Sequence, residues 1–183
     1  MSKNFFEIKN VTFSIGGKNK VNDVNISIKN EGDIICILGP SGIGKTTMLR
    51  TIAGLEKINN GKIILKDKVL SSDKIHIEPE KRNIALSFQE NSLFPHYSVD
   101  KNIHLGVKKN SPSNKNIDSK EIIKILNIED ILGKYPHQIS AGEAQRASLA
   151  RSLISQPDLL LLDEPLSNVD QSFKEDIQVA LKQ

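Results

Sequence analysis

At 183 residues, with 38% hydrophobic and 26% charged residues, the chain is sized for about one soluble globular domain with a single sizeable core. No apolar run approaches the ~20 residues of a membrane-spanning helix, and Met1-Ser2-Lys3-Asn4-Phe5-Phe6-Glu7 holds no signal-peptide core, so a cytoplasmic protein is expected. A net charge of +3 is too small to argue for nucleic acid, and the one cysteine, Cys36, excludes a disulfide framework or a cysteine metal cluster.

Phe5 to Lys9 and Val21 to Lys29 alternate apolar and polar residues, as half-buried antiparallel strands do, with a turn around Gly16-Gly17-Lys18-Asn19 between them. Gly32-Asp33 then precedes the apolar run Ile34 to Leu38, which reads as a buried strand with Cys36 in the core. Gly39 to Thr47 follows and leads into the helix-like Met48 to Leu55. Within this strand, loop and helix, Gly39, Gly44, Lys45 and Thr46 satisfy G-x-x-x-x-G-K-[ST]. Glycines there let backbone N–H groups approach phosphate oxygens, and the helix presents its positive end to them. Pro40, Ser41, Gly42 and Thr47 complete the expected cradle, with Lys45 at the β- and γ-phosphates and the Thr46 hydroxyl on Mg²⁺.

Asn59-Asn60-Gly61 turns into Lys62 to Leu65, and Asp67-Lys68 turns back into Val69-Leu70, a second hairpin. Asn83 to Phe88 is a short strand that leads to Gln89, and Ser111 to Asn116 is the most loop-like run in the chain. Asp118, three residues before Glu121, opens a helix that places Ile122, Ile125 and Leu126 on one face. Ser140 is the expected N-cap of Ala141 to Ile154, which Pro157 stops. Leu159 to Leu162 is an apolar run ending in Asp163-Glu164-Pro165, the pattern of a fully buried parallel strand whose C-terminal end opens on a site. Asp170 to Gln183 reads as an amphipathic helix. Phosphoryl transfer also needs a carboxylate for the metal and a group to activate water; Asp163 suits the first need and Glu164 the second, as general base.

The order and spacing of Gly39 to Thr47, Gln89, Ile139-Ser140-Ala141-Gly142-Glu143, Leu159 to Pro165 and Ser167-Asn168-Val169-Asp170 resemble those of the nucleotide-binding subunits of ABC transporters. The resemblance covers Phe5 to Gln183, and its most specific part is Ser140 to Arg146 with Ala150-Arg151-Ser152-Leu153, similar to that family's signature motif. It implies an α/β phosphate-loop NTPase core of RecA-like type with an antiparallel β subdomain and an α-helical subdomain at about residues 90–156, in a single nucleotide-binding domain. It implies ATP and Mg²⁺ as ligands, Gln89 at the metal or the attacking water, and Asp170 crossing a dimer interface. Ser140 and Gly142 are implied to close over the γ-phosphate of ATP held by a second copy, and their place at a helix start, with free N–H groups, agrees with that role.

The implied working unit is a head-to-tail homodimer or a paired cassette, peripheral on the inner face of the cell membrane. Its helical subdomain would act on transmembrane permease subunits served by a solute-binding protein, and no nucleic-acid partner is expected. Leu93-Phe94-Pro95-His96, taken with Pro79 to Ile84, resembles importers of ferric iron, sugars, polyamines and inorganic anions, ferric iron being the first choice.

The chain departs from the family pattern in three places. Where the family stacks an aromatic residue on adenine this chain has Ile15, with Phe13 two residues earlier on the same side of the strand; either Ile15 packs against the base or Phe13 substitutes. Ala141 and Glu143 replace the commoner glycine and glutamine, and the added methyl and charge are expected to weaken closure. The chain stops at Gln183 and its histidines, His76, His96, His104 and His137, all precede Asp163, so the family's C-terminal strands and switch histidine are absent from it. It is then either an incomplete sequence or a short protein with impaired hydrolysis. Two other functions compete: a soluble ABC ATPase of DNA repair or translation, and a nucleotide-binding module that hardly turns ATP over. The first lacks support from any coiled-coil insertion, zinc-type cysteine pair or tandem cassette.

Overall fold

The computed structural model describes residues 4–17, 19–87, 93–106 and 118–163. The chain divides into two compact units, Met1–Ile84 and Ala85–Gln183.

In the first unit, β1 (Phe6–Ile15), β2 (Asn19–Ile28), β3 (Asn60–Leu65) and β4 (Lys68–Ser71) form an antiparallel sheet in the order β2-β1-β3-β4. Both expected hairpins are present. The second turns on Lys66 and Asp67, whose φ of 48° and 65° give the left-handed pair that suits a tight hairpin. β1 is irregular at Asn10 (φ 49°), where its register slips against both neighbours. That bulge changes the strand's parity: Phe6 and Ile8 are buried before it, Val11 and Phe13 after it. These four side chains, Ile63, Leu65 and Leu70, together with Met48 and Ile52 of α1 (Lys45–Ala53), are buried, and α1 packs on β1. Each large side chain among them contributes about 1.5–3 kcal/mol by leaving water.

The C-terminal end of α1 is held by a buried cation. Arg82 donates through Nη1 to Ile52 O at 2.9 Å and Thr51 O at 3.4 Å, through Nη2 to Ser71 Oγ at 2.8 Å, and through Nε to Ile77 O at 2.6 Å. These carbonyls include ones the helix leaves unsatisfied at its end, where a positive charge is favourable.

Ile34 to Leu38 is not the buried strand expected. Residues 33–40 take no regular structure; Ile34, Ile35 and Leu38 are exposed, Leu38 at 90%, and Cys36 is exposed as well. The cause is pairing. An apolar run becomes a buried strand only between neighbours that satisfy its backbone and cover its faces, and no described strand pairs with this one.

In the second unit, β5 (Ile84–Ser87) and β6 (Leu159–Leu162) form a two-stranded sheet, extended by the Asp163 N–H donating to Ser87 O at 3.1 Å. Of the four leucines only Leu161 is buried, so the expected fully buried strand is partly covered: it has one ladder neighbour among the described residues. Helices α2 (Val99–His104), α3 (Ser119–Ile125) and α4 (Ala141–Ile154) share a core of Val99, Ile103, Ile122, Ile123, Leu126, Ala147 and Leu149. Ile123, rather than Ile125, joins Ile122 and Leu126 inside. Each helix starts on a side-chain cap, Ser98, Asp118 and Ser140 accepting from the N–H of Lys101, Lys120 and Glu143. The fully buried Asn102 accepts from Phe94 N–H at 2.8 Å and donates to the carbonyls of Phe94, Tyr97 and Ser98, each at 3.1 Å, which fixes the segment before α2.

Candidate functional site

The phosphate loop is built within the first unit. Gly42 and Gly44 hold φ of 81° and 104°, a backbone that side chains resist, and Gly44 is the residue on which α1 starts. Space demands glycine at Gly44 too: a Cβ there would lie 2.6 Å from Ile15 Cδ1 and 3.3 Å from Val21 Cγ2. The first hairpin therefore rests on the loop through Ile15.

The start of α1 differs from those of α2, α3 and α4. Its N-cap glycine supplies no side-chain acceptor, and its first turn, Lys45-Thr46-Thr47, holds no acid. The N–H groups a helix leaves unsatisfied at its start, and the positive end of its dipole, are thus open to an anion. Lys45 Nζ arches back over the loop and donates to Gly39 O at 2.8 Å and Pro40 O at 3.0 Å. Thr46 is exposed on the same turn, and its hydroxyl is the hard oxygen donor that Mg²⁺ takes.

Beside the loop lies a cavity of about 490 Å³, lined by Ser14, Gly16 and Gly17 of the first hairpin, Thr47 of α1, and Glu56 and Asn59 of the segment after α1. Ser14 Oγ donates to Asn59 Oδ1 at 2.9 Å, and Glu56 Oε1 pairs with Arg50 Nε at 3.3 Å. Phe13 is not on this cavity. Its ring is 2% exposed, on the core side that the Asn10 bulge imposes, so Phe13 does not replace the missing aromatic; Ile15 alone stays beside the loop.

In the second unit, Ser140 caps α4 as expected and Gly142 follows in the first turn. Glu143, three residues on, completes a capping box with Ser140. The Ser140 backbone N–H, and then its hydroxyl, hold the Glu143 carboxyl below the usual carboxylate range. Asp163 follows β6 and is 8% exposed. Gln89, Glu164 and Asp170 lie outside the described residues, as does the rest of Ser167 to Asp170. Among the described residues no three His, Cys, Asp or Glu gather to hold a metal.

Sequence reasoning missed Ser14 with Asn59, Arg82 and Asn102. Ser14 and Asn59 stand 45 positions apart, and Asn59 carries only a turn signal locally. Arg82 and Asn102 are polar residues whose burial depends on segments distant in the chain, and no periodicity marks them.

A glycine loop arched by lysine and opening an uncapped, acid-free helix defines a phosphate-loop nucleotide-binding protein. The sequence pattern of the ABC transporter family matches residues 21–167, and the chain belongs to that family. The Fe(3+) ions import ATP-binding protein FbpC of Escherichia coli is 38% identical over 99% of this chain and 51% of its own length. The spermidine/putrescine import ATP-binding protein PotA of Pseudomonas aeruginosa is 40% identical over 99% of this chain and 49% of its own. The chain thus spans about half the length of the relatives it matches. A dimeric ATP-binding cassette solved in a post-hydrolysis state with ADP and Pi superposes with a TM-score of 0.80 at 29% identity, covering 96% of this chain and 81% of that one. The fold is that of an ABC cassette, with its antiparallel β subdomain and its helices. No helix among the described residues is long and apolar enough to cross a membrane.

Proposed function

We propose that the chain is the ATP-binding part of an ABC importer, binding and hydrolysing ATP with Mg²⁺ to drive solute uptake through membrane permease subunits. The observation that carries this is the start of α1, where Gly42, Gly44, Lys45 and Thr46 combine left-handed glycines, an open helix N-terminus and a cation in one loop. Thr46, Asp163 and Gln89 are the residues to hold Mg²⁺, an ion that supplies charge neutralisation at the β- and γ-phosphates. Glu164 is the group to activate water. Ser140 and Gly142, with Asp170, belong to the opposite face of a head-to-tail dimer, a reading supported by the dimeric state of the similar cassette. The helical segments between Gln89 and Gln156 are the contact to the permease, at the inner face of the membrane. Ferric iron stays the first solute to try, beside the polyamines named for equally similar relatives.

One observation favours a second reading, a module that binds ATP and hardly turns it over: the Ser140 hydroxyl is committed to Glu143. Purified chain assayed for Mg-ATP binding and for phosphate release separates the two. Importer-type activity requires turnover that Glu164→Gln abolishes while binding persists, and binding that Lys45→Ala removes. Binding without turnover selects the second reading, and a wild-type chain that binds no nucleotide overturns both.

A further inference from the structure

We propose that a second cavity of the first unit is a phosphate site away from the phosphate loop, taking inorganic hydrogenphosphate through His76, Lys74 and Asp73 and rejecting sulfate. It does not depend on the nucleotide reading above. The cavity, about 300 Å³, lies where the segment after α1 meets the turn after β4, and its polar walls are Lys57, Asn59, Ser72, Asp73, Lys74 and His76.

Donors dominate these walls. Arg82, 2% exposed, turns Nη2 toward His76 Nδ1 at 3.4 Å. A guanidinium only donates, so Nδ1 accepts and the ring keeps its proton on Nε2, the nitrogen left to a ligand. The Ser72 hydroxyl accepts from the N–H groups of Lys74 and Ile75 at 3.3 and 3.2 Å, which leaves its own hydrogen to donate. Asn59 spends Oδ1 on Ser14, and its Nδ2 is a further donor. Lys57 and Lys74 add two ammonium groups that pair with no acid among the described residues. The charge of Arg82 stands behind His76; Glu78, the acid that Arg82 feels, is off the cavity wall. Asp73 is the one acid on that wall, and it sets the choice of anion. Hydrogenphosphate, a dianion with one O–H, offers lone pairs to the donors and its hydrogen to Asp73. Sulfate has no hydrogen to give at neutral pH and meets the carboxylate as a like charge.

The test is titration of the 183-residue chain with inorganic phosphate and with sulfate, followed by NMR at the ring nitrogens of His76, which a His76→Gln variant assigns. The free ring should carry its proton on Nε2, and phosphate should shift it with saturation in the millimolar range, at least about tenfold more tightly than sulfate. Lys74→Ala should weaken phosphate by about two- to fivefold. Asp73→Asn should bring sulfate to within about threefold of phosphate. Lys45→Ala, on the phosphate loop, should leave the titration as it is. A ring with its proton on Nδ1, equal affinity for the two anions in the wild type, or a Lys74→Ala or Asp73→Asn variant that titrates as the wild type does overturns the proposal. A shift that does not saturate by about 20 mM means an adventitious ion only and overturns it too. Loss of the shift in Lys45→Ala assigns the response to the phosphate loop and has the same result.

Discussion

The Glu143 carboxylate accepts both donors of Ser140, the backbone N–H at 2.7 Å and the hydroxyl at 2.8 Å, while the Glu143 N–H returns to Ser140 Oγ at 3.2 Å. The start of α4 is therefore closed by its own side chains, whereas the start of α1 is open.

Glu143→Gln should weaken this cap by up to about 1 kcal/mol at neutral pH. Because the folded carboxyl titrates below its ordinary value of 4.5, its contribution is complete above that pH and is lost as pH falls through the folded value. Urea midpoints of wild type and variant should differ at neutral pH and converge once the pH has fallen below the folded value. A gap that persists in acid would show that charge has no part in the cap. In a Glu164→Gln background the same change replaces a charged acceptor of the Ser140 hydroxyl by a weaker neutral one, and size-exclusion with ATP should show a larger dimer fraction.

Gly44→Ala combines a forced left-handed alanine with a methyl pressed on Ile15, and should cost about 1–3 kcal/mol in denaturant unfolding. Adding Ile15→Ala removes the collision but not the backbone strain. The double variant should regain part of the loss, by a coupling of at least about 0.5 kcal/mol; strictly additive effects would mean that Ile15 does not rest on the loop.

Arg82→Ala leaves the carbonyls of Ile52 and Ile77 and the Ser71 hydroxyl without their partner, a loss of about 3 kcal/mol or more. Arg82→Lys should recover less than half, because one ammonium does not reproduce the planar fork. Burial pushes the guanidinium down to about 10, and a base lowered in the folded state lends stability to rising pH only above that value. The Arg82→Ala penalty, read from thermal unfolding, should accordingly be flat below about pH 9.

Asn102→Ala should cost at least about 2 kcal/mol and speed hydrogen exchange at the Phe94 amide, whose acceptor it removes. Asn102→Asp keeps that acceptor but sets a carboxylate against three carbonyls, so it should be at least as damaging. Wild-type exchange at Phe94 in both variants would contradict the bracing role of Asn102.

Features that depend on a few adjacent residues were readable before the structure. The two hairpins, the glycine loop and the Ser140 cap belong to this group, since turn and cap chemistry act over three or four positions. Burial is different, because it belongs to the neighbours. Ile34 to Leu38 has the composition of a core strand, yet composition provides no ladder, and its side chains stay in water. The Ser14–Asn59 bond and the setting of Arg82 likewise join segments far apart in sequence, so no local pattern announces them.

The bulge at Asn10 reaches further than its position implies. A strand has a reading frame of two, and one inserted residue rewrites every inward position downstream of it. Without the slip, Asn10, Thr12 and Ser14 would point into the sheet's core and the ring of Phe13 would stand on the opposite face. One surplus backbone unit, five residues upstream of Ile15, thus sets the face taken by Phe13 and Ile15 together, the ring in the sheet's core and the aliphatic tip against Gly44.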